Sequence, residues 1–209
     1  MVSYFYFLTH IDEYLILALD KYGLLTYLIL FMVIFIETGL VVAPFLPGDS
    51  LIFIVGAVVA SSSLHFIFAF LILSIAAILG DSFNYWVGKK IGKKLSNSEF
   101  IRKDYLLRTE RFYEKHGGKT IIYARFFPII RTFAPFLAGI AEMEYSRFLA
   151  FNVIGAVSWV TLFLSMGYFF GNISIIQNNL TIIVWIIIGA SLIPPVYEYL
   201  KHKLKKTEI

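Results

Sequence analysis

Five charged side chains, Glu37, Asp49, Asp81, Arg125 and Arg131, lie in stretches of this 209-residue chain that otherwise read as membrane. Four of them stand beside prolines. Glu37 and Asp49 fall in IETGLVVAPFLPGDS (residues 36–50), and Arg125 and Arg131 in ARFFPIIRTFAPF (residues 124–136). A charge at bilayer depth costs about 2.5 to 3.5 kcal/mol even on a lenient insertion scale, so four facing lipid would cost roughly 10 kcal/mol. The neighbouring prolines and glycines also release backbone groups, which at that depth must be buried in protein or line a wet cavity. A chain with this pattern has to enclose a polar site inside a membrane.

Composition agrees. With 59% hydrophobic residues, 18% aromatic and only 15% charged, and a mean hydropathy of +0.78, a soluble domain with one apolar helix is excluded. No cysteine is present, which removes disulfides, thiolate metal sites and cysteine nucleophiles. The net charge of +4 comes from lysines at 89, 90, 93 and 94 and at 201, 203, 205 and 206, each cluster directly after a long apolar run. Such clusters mark cytoplasmic ends. Because they abut membrane segments, a nucleic-acid surface is not expected. The N-terminal MVSYFYFLTHIDEY lacks a basic region and meets Asp12 and Glu13 early, unlike a cleavable signal.

These anchors organise the chain as one transmembrane domain over residues 1–209. Residues 1–22 hold a short interfacial helix, in which Ile11, Leu15, Leu19 and Tyr22 alternate with charges at helical spacing. A first half over 24–88 contains the spans Leu24 to Val42 and Phe66 to Val87, with a segment at 44–60 too short to cross and so expected to be re-entrant. Residues 89–118 form a charged amphipathic linker on the cytoplasmic side. A second half over 119–199 contains a re-entrant segment at 120–140 and the spans Phe148 to Phe170 and Leu180 to Leu192, before a basic cytoplasmic tail at 200–209. Pro44, Pro47, Gly48, Pro128 and Pro135 are the expected backbone breaks.

The expected fold is therefore an all-α polytopic bundle. Its two re-entrant helical hairpins enter from opposite leaflets in a pseudo-inverted repeat, and both termini are cytoplasmic. Corresponding interrupted segments in two halves are the sequence pointer to such a transport site.

Several ordered motifs extend this reading: E-T-G around Glu37, P-G-D at Pro47 to Asp49, and G-D-x-x-x-Y-x-x-G-x-x-x-G from Gly80 to Gly92. R-F-F-P-x-x-R spans Arg125 to Arg131, followed by A-G at Ala138 and Gly139, and F-N-x-I-G-x-x-x-W from Phe151 to Trp159. Together they cover about residues 20 to 175. In this set the chain resembles the DedA family, the bacterial branch of the SNARE-associated, or VTT, domain superfamily of lipid transporters and scramblases. The resemblance implies functionally needed acids at Glu37 and Asp49 and arginines at Arg125 and Arg131. Many members carry Glu where this chain has Asp49, which keeps the charge but shortens the reach. It also implies a bacterial cytoplasmic membrane, a link to recycling of undecaprenyl phosphate, and dependence on the proton motive force.

The residues support that chemistry in their own right. A guanidinium presents a planar fork of donors that matches phosphate oxygens. On a straight helix Arg125 and Arg131 would point apart, so a break at Pro128 is needed for them to converge on a lipid phosphate. Glu37 and Asp49 would be about 18 Å apart on a continuous helix. A fold-back at Pro44 to Gly48 would bring them to one cavity as a proton-sensitive gate, with Asp81 as an accessory. The competing reading of Glu37, Asp49, Arg125 and Arg131 is structural ion pairing, with snorkelling also open to the arginines; that of Asp81, which shares a polar stripe with Asn84, is a hydrogen bond to a neighbouring helix. Gly88 and Gly92 suit a close helix contact, and Asn152, Gly155 and Trp159 suit packing on one helical face.

The expected activity is translocation of undecaprenyl phosphate, or another anionic lipid, with proton coupling. The alternatives are a cation/proton antiporter or proton-motive-force maintenance protein, and a broader phospholipid scramblase. An enzyme is not expected, since His10, His65, His116 and His202 are scattered away from the arginines. No cofactor or metal is implied, and a homodimer is left open.

Overall fold

A chain that crosses lipid must satisfy its own backbone, and the helix does so within one segment. The computed structural model describes residues 25–40, 48–61, 65–96, 118–170 and 173, and among these all regular structure is α-helical. The helices are α1 (Leu25–Gly39), α2 (Gly48–Ser61), α3 (Phe66–Ser96), α4 (Lys119–Ala124), α5 (Pro128–Ile140) and α6 (Tyr145–Phe170). The expected interfacial helix, Pro44, Pro47, most of the linker, the span Leu180 to Leu192 and the basic tail lie outside the described residues.

Among the described residues two helices are long and apolar enough to cross a bilayer: Phe66–Gly92, 27 residues, within α3, and α6, 26 residues. At 1.5 Å per residue each reaches about 40 Å, more than the hydrocarbon core needs. Helix α3 runs past its expected end at Val87 because lysine is itself a good helix former. Lys89 also rests its ammonium 5.4 Å from the Trp86 ring centre. The outward face of α3 carries Ile67, Leu71, Ile75, Leu79 and Phe83 in steps of four, all exposed. Such an apolar stripe is suited to lipid rather than water.

The interior has two apolar clusters. One joins Ile34 of α1, Ile52 and Val55 of α2, Leu73 of α3, and Trp159 and Leu164 of α6. The other joins Tyr85 of α3 with Ile121, Ala124, Ala134, Ala138 and Phe148 from α4, α5 and α6. Helix α2 lies along α6, α5 lies along α3, and α1 also packs on α3. Small residues set how close these crossings come. A Cβ on Gly56 would strike the Leu164 carbonyl and one on Gly167 the Phe53 carbonyl, so α2 and α6 touch backbone to backbone. The α3–α5 crossing is built the same way, with Gly88 against the Phe136 carbonyl and Gly139 against that of Tyr85.

Of the expected breaks within the described residues, Gly48 and Pro128 open helices, α2 and α5 respectively. Pro135 does not break anything: it lies inside α5, which continues to Ile140. An interior proline costs a helix one hydrogen bond and about 3 kcal/mol. Helix α5 absorbs this because Ala134, Ala138 and Gly139 seat its second half on α3.

Candidate functional site

The interruption between α4 and α5 aims both arginines. After Ala124 the chain tightens, with Arg125 N–H donating to the Ile122 carbonyl, Phe126 N–H to that of Tyr123 and Phe127 N–H to that of Ala124, all i to i−3. Phe127 is then extended (φ −118°, ψ 109°), the conformation a following proline favours, and Pro128 starts α5 where its missing N–H has no intrahelical partner to lose. The chain has turned between Arg125 and Arg131, so their guanidinium groups reach the same ring. The Trp159 centroid lies 5.7 Å from Cζ of Arg125 and 4.8 Å from Cζ of Arg131.

Each arginine is engaged by acids and amides from other helices. Arg125 Nη2 donates to the Asp81 carboxylate of α3 and to Asn152 Oδ1 of α6 at 2.6 Å. Asn152 in turn donates from Nδ2 to the Ile78 carbonyl at 3.0 Å, which fixes its orientation. Arg131 uses both terminal nitrogens: Nη1 donates to Asp49 Oδ1 at 2.8 Å and Nη2 to Glu37 Oε1. Glu37 Oε1 also accepts the Gly48 backbone N–H at 3.2 Å. Asp49 Oδ1 also accepts the Trp159 indole N–H at 2.8 Å. Glu37 and Asp49 therefore share one guanidinium, as a fold-back between them requires.

Four of the five charges are buried: Glu37 is 1% exposed, Asp81 and Arg125 2% each, and Arg131 6%. Asp49 is the most open, its side chain 14% exposed. Three carboxylates face two guanidiniums, so with every group ionised one negative charge is in excess. Among the described residues Nε and Nη1 of Arg125 and Nε of Arg131 have no hydrogen-bond partner, nor do Oε2 of Glu37 and Oδ1 of Asp81. Spare donors on a buried arginine are costly unless something accepts them.

All five singled-out charges thus meet in one network around Trp159. Arg125 and Arg131 converge on an indole, each already covered by acids, rather than facing each other across an open gap. Asp81 is a full member through Arg125. Two residues, Trp159 and Asn152, carry more than the packing role their sequence suggested, and Asn84 makes the helix-to-helix hydrogen bond its polar stripe suggested. Trp159 holds Asp49 and both arginines, and Asn152 braces Arg125. Asn84 donates from Nδ2 to the Thr132 carbonyl at 2.7 Å and the Thr38 carbonyl at 3.4 Å, joining α5 to the end of α1. The available signal was that Asn152 and Trp159 stand two helical turns apart, so that their polar atoms share one face of an otherwise apolar helix. Among the described residues no group of three or more His, Asp or Glu side chains could hold a metal ion.

Residues 46–169, which hold every member of this network except Glu37, match the VTT domain family model. The chain is also 50% identical to Protein DedA of Escherichia coli (strain K12) over 202 residues, covering 94% of this chain and 92% of that protein. The chain belongs to the DedA family. Other relatives of this DedA-family protein include an uncharacterized membrane protein of Mycobacterium leprae, 38% identical over 166 residues (78% of this chain, 74% of the relative). It is 32% identical over 148 residues to Inner membrane protein YqjA of Escherichia coli (strain K12), covering 69% of this chain and 67% of that one. No solved structure matches it. Family membership and the apolar outer face together make it an integral membrane protein.

Proposed function

We propose that this DedA-family protein is a lipid-carrier translocase that moves undecaprenyl phosphate across the bacterial cytoplasmic membrane for reuse in envelope synthesis, coupled to protons. One observation carries the reading: two buried guanidiniums converge on one indole while three of their donor nitrogens have no acceptor among the described residues. A phosphate monoester supplies acceptors of that geometry, and its polyprenyl tail can stay in lipid. Arg125 and Arg131 hold the phosphate, Glu37 and Asp49 release and recapture Arg131 as the site opens to either side, and Asp81 steadies Arg125. The excess carboxylate gives a proton a place to travel with the cargo. Acids held against guanidiniums are weak nucleophiles, which favours transport over an enzymatic reaction.

The topology that serves this reading has α2 and the α4–α5 pair as re-entrant segments from opposite leaflets, in two inverted halves, with both termini cytoplasmic. The glycine crossings support it. Helix α2 of the first half seats on α6 of the second through Gly56 and Gly167, and α5 of the second seats on α3 of the first through Gly139 and Gly88. That exchange of partners is what a two-fold relation in the membrane plane produces. The lysines in the last turns of α3 and the inner-membrane name of YqjA support the location.

A second reading, a cation/proton antiporter, draws on the excess carboxylate alone. Reconstitution into liposomes separates the two. A fluorescent polyprenyl phosphate is expected to change leaflets with the wild type and not with Arg131→Ala, and a proton gradient is expected to bias its direction. Protein that exchanges sodium or potassium for protons and leaves the lipid in place would overturn the proposal. Equal movement of phosphatidylcholine would recast it as a broader scramblase.

A further inference from the structure

Glu37 occupies an unusual position for a transport-site acid. Its Oε1 accepts two donors at once, a terminal nitrogen of Arg131 and the backbone N–H of Gly48, the first residue of the 14-residue helix α2. The first N–H groups of a helix have no intrahelical partner, and the helix dipole adds positive potential there. A guanidinium beside a helix N-terminus is a place built for an anion. Here the protein's own carboxylate fills it.

Two further observations point to a ligand rather than to the helix end alone. Gly48 leaves the room: a Cβ at that position would run into the Glu37 carboxylate. Only glycine therefore lets a carboxylate, or an oxyanion of similar size, reach the backbone there. Arg131, 6% exposed, also keeps Nε without a partner among the described residues, and Glu37 keeps Oε2 so. The fork is not saturated by the carboxylate that now sits in it.

Asp49 makes a contrast on the same arginine. It takes Arg131 Nη1 and the Trp159 indole N–H, not the helix terminus. Its place is fixed by a side chain on α6, whereas Glu37 holds one that a phosphate oxygen fits.

We propose that the Glu37 carboxylate stands in the seat of the cargo's phosphate, a built-in competitor that must leave Arg131 and the Gly48 N–H before a phosphate monoester binds. This rests on the lipid-phosphate reading above and deepens it. One anionic group replaces another, so the buried cluster need not accumulate negative charge as the cargo enters. The competitor also keeps α1, α2 and α5 pinned together when no cargo is present.

The test measures equilibrium binding of farnesyl phosphate and, separately, of inorganic phosphate to the purified full-length protein in detergent micelles. The proteins are wild type, Glu37→Gln, Asp49→Asn and Arg131→Ala. Glutamine keeps the shape and can still accept the Gly48 N–H, but it is a weaker rival for a guanidinium. Glu37→Gln is expected to bind farnesyl phosphate about tenfold tighter than wild type or more. Asp49→Asn, which removes the same charge from the same arginine, is expected to gain clearly less. A matching gain for inorganic phosphate supports a seat that reads the phosphate alone, and a gain confined to farnesyl phosphate supports one that also needs the tail. Equal gains in the two variants would reduce the effect to general electrostatics and overturn the proposal, as would no gain in Glu37→Gln. If wild type binds and Arg131→Ala does not, those outcomes remove the competitor and leave the transport reading standing. Absence of farnesyl phosphate binding in wild type and Glu37→Gln alike overturns both. Should Glu37→Gln not fold, Glu37→Asp replaces it: withdrawing the carboxylate by one methylene is expected to tighten binding, and unchanged binding overturns the proposal.

Discussion

The Asp81–Arg125 pair lends itself to a double-mutant cycle of Asp81→Asn, Arg125→Gln and the two together. Both side chains are nearly inaccessible, 2% and 1% exposed, so water cannot take the place of a lost partner. Removing one member of a buried pair costs about 3 to 5 kcal/mol because it strands the other's charge. Asp81→Asn should fall at the lower end, about 3 kcal/mol, since Arg125 keeps Asn152 Oδ1 at 2.6 Å. Arg125→Gln strands the Asp81 carboxylate and should cost about 4 kcal/mol. The double variant has two neutral amides able to bond each other, so it should cost less than either single, about 1 to 2 kcal/mol. Thermal unfolding in detergent, followed by tryptophan fluorescence, reads the cycle. At about 2 to 4 °C per kcal/mol for a chain of this size, the singles should lose about 6 to 16 °C and the double about 2 to 8 °C. A double variant whose loss equals the sum of the singles would show that the two charges do not compensate each other, and the network would have to be redrawn.

Three further outcomes follow from the packing. Trp159→Phe keeps a ring between the arginines but removes the N–H to Asp49; it should cost about 1 to 2 kcal/mol in the same unfolding assay and lower the rate of lipid movement in liposomes. A rate equal to wild type would remove Trp159 from the site. Gly167→Ala places a methyl group against the Phe53 carbonyl, so α2 must move off α6, at about 1 to 3 kcal/mol; an unchanged Tm would refute that close approach. Glu142 closes α5 at φ 50°, a left-handed conformation that costs a side chain about 1 kcal/mol. Glu142→Gly should therefore raise the Tm by about 2 to 4 °C, and a fall in Tm would mean that the carboxylate matters more than the backbone.

The five charges were legible as a single problem because a charge in an apolar run has so few affordable fates in lipid. Charge, proline and glycine were enough to mark Gly48 and Pro128 as backbone breaks, and each opens a helix. Pro135 was misleading for a related reason: its local cost is real, but whether a helix survives it depends on the surface it packs against, here α3. Asn152 and Trp159 were harder to see. An amide or an indole on an apolar helix serves packing and bonding equally well until its neighbour is known.

The amino-acid sequence by itself determined the membrane class, the all-helical backbone, the family, and which side chains could not be left facing lipid. These follow from transfer energies and backbone valence, which are properties of each residue and its near neighbours along the chain. Which acid meets which arginine was decided only in three dimensions. Nothing local separates Asp81 from Asp49 as a partner for Arg125. Their assignment depends on how α3, α5 and α6 pack, and that is fixed by glycines touching carbonyls far along the chain, Gly88 against Phe136 and Gly167 against Phe53. The same crossings set the Glu37 carboxylate of α1 against the Gly48 N–H that opens α2 and against Arg131 of α5, three elements that no local pattern joins.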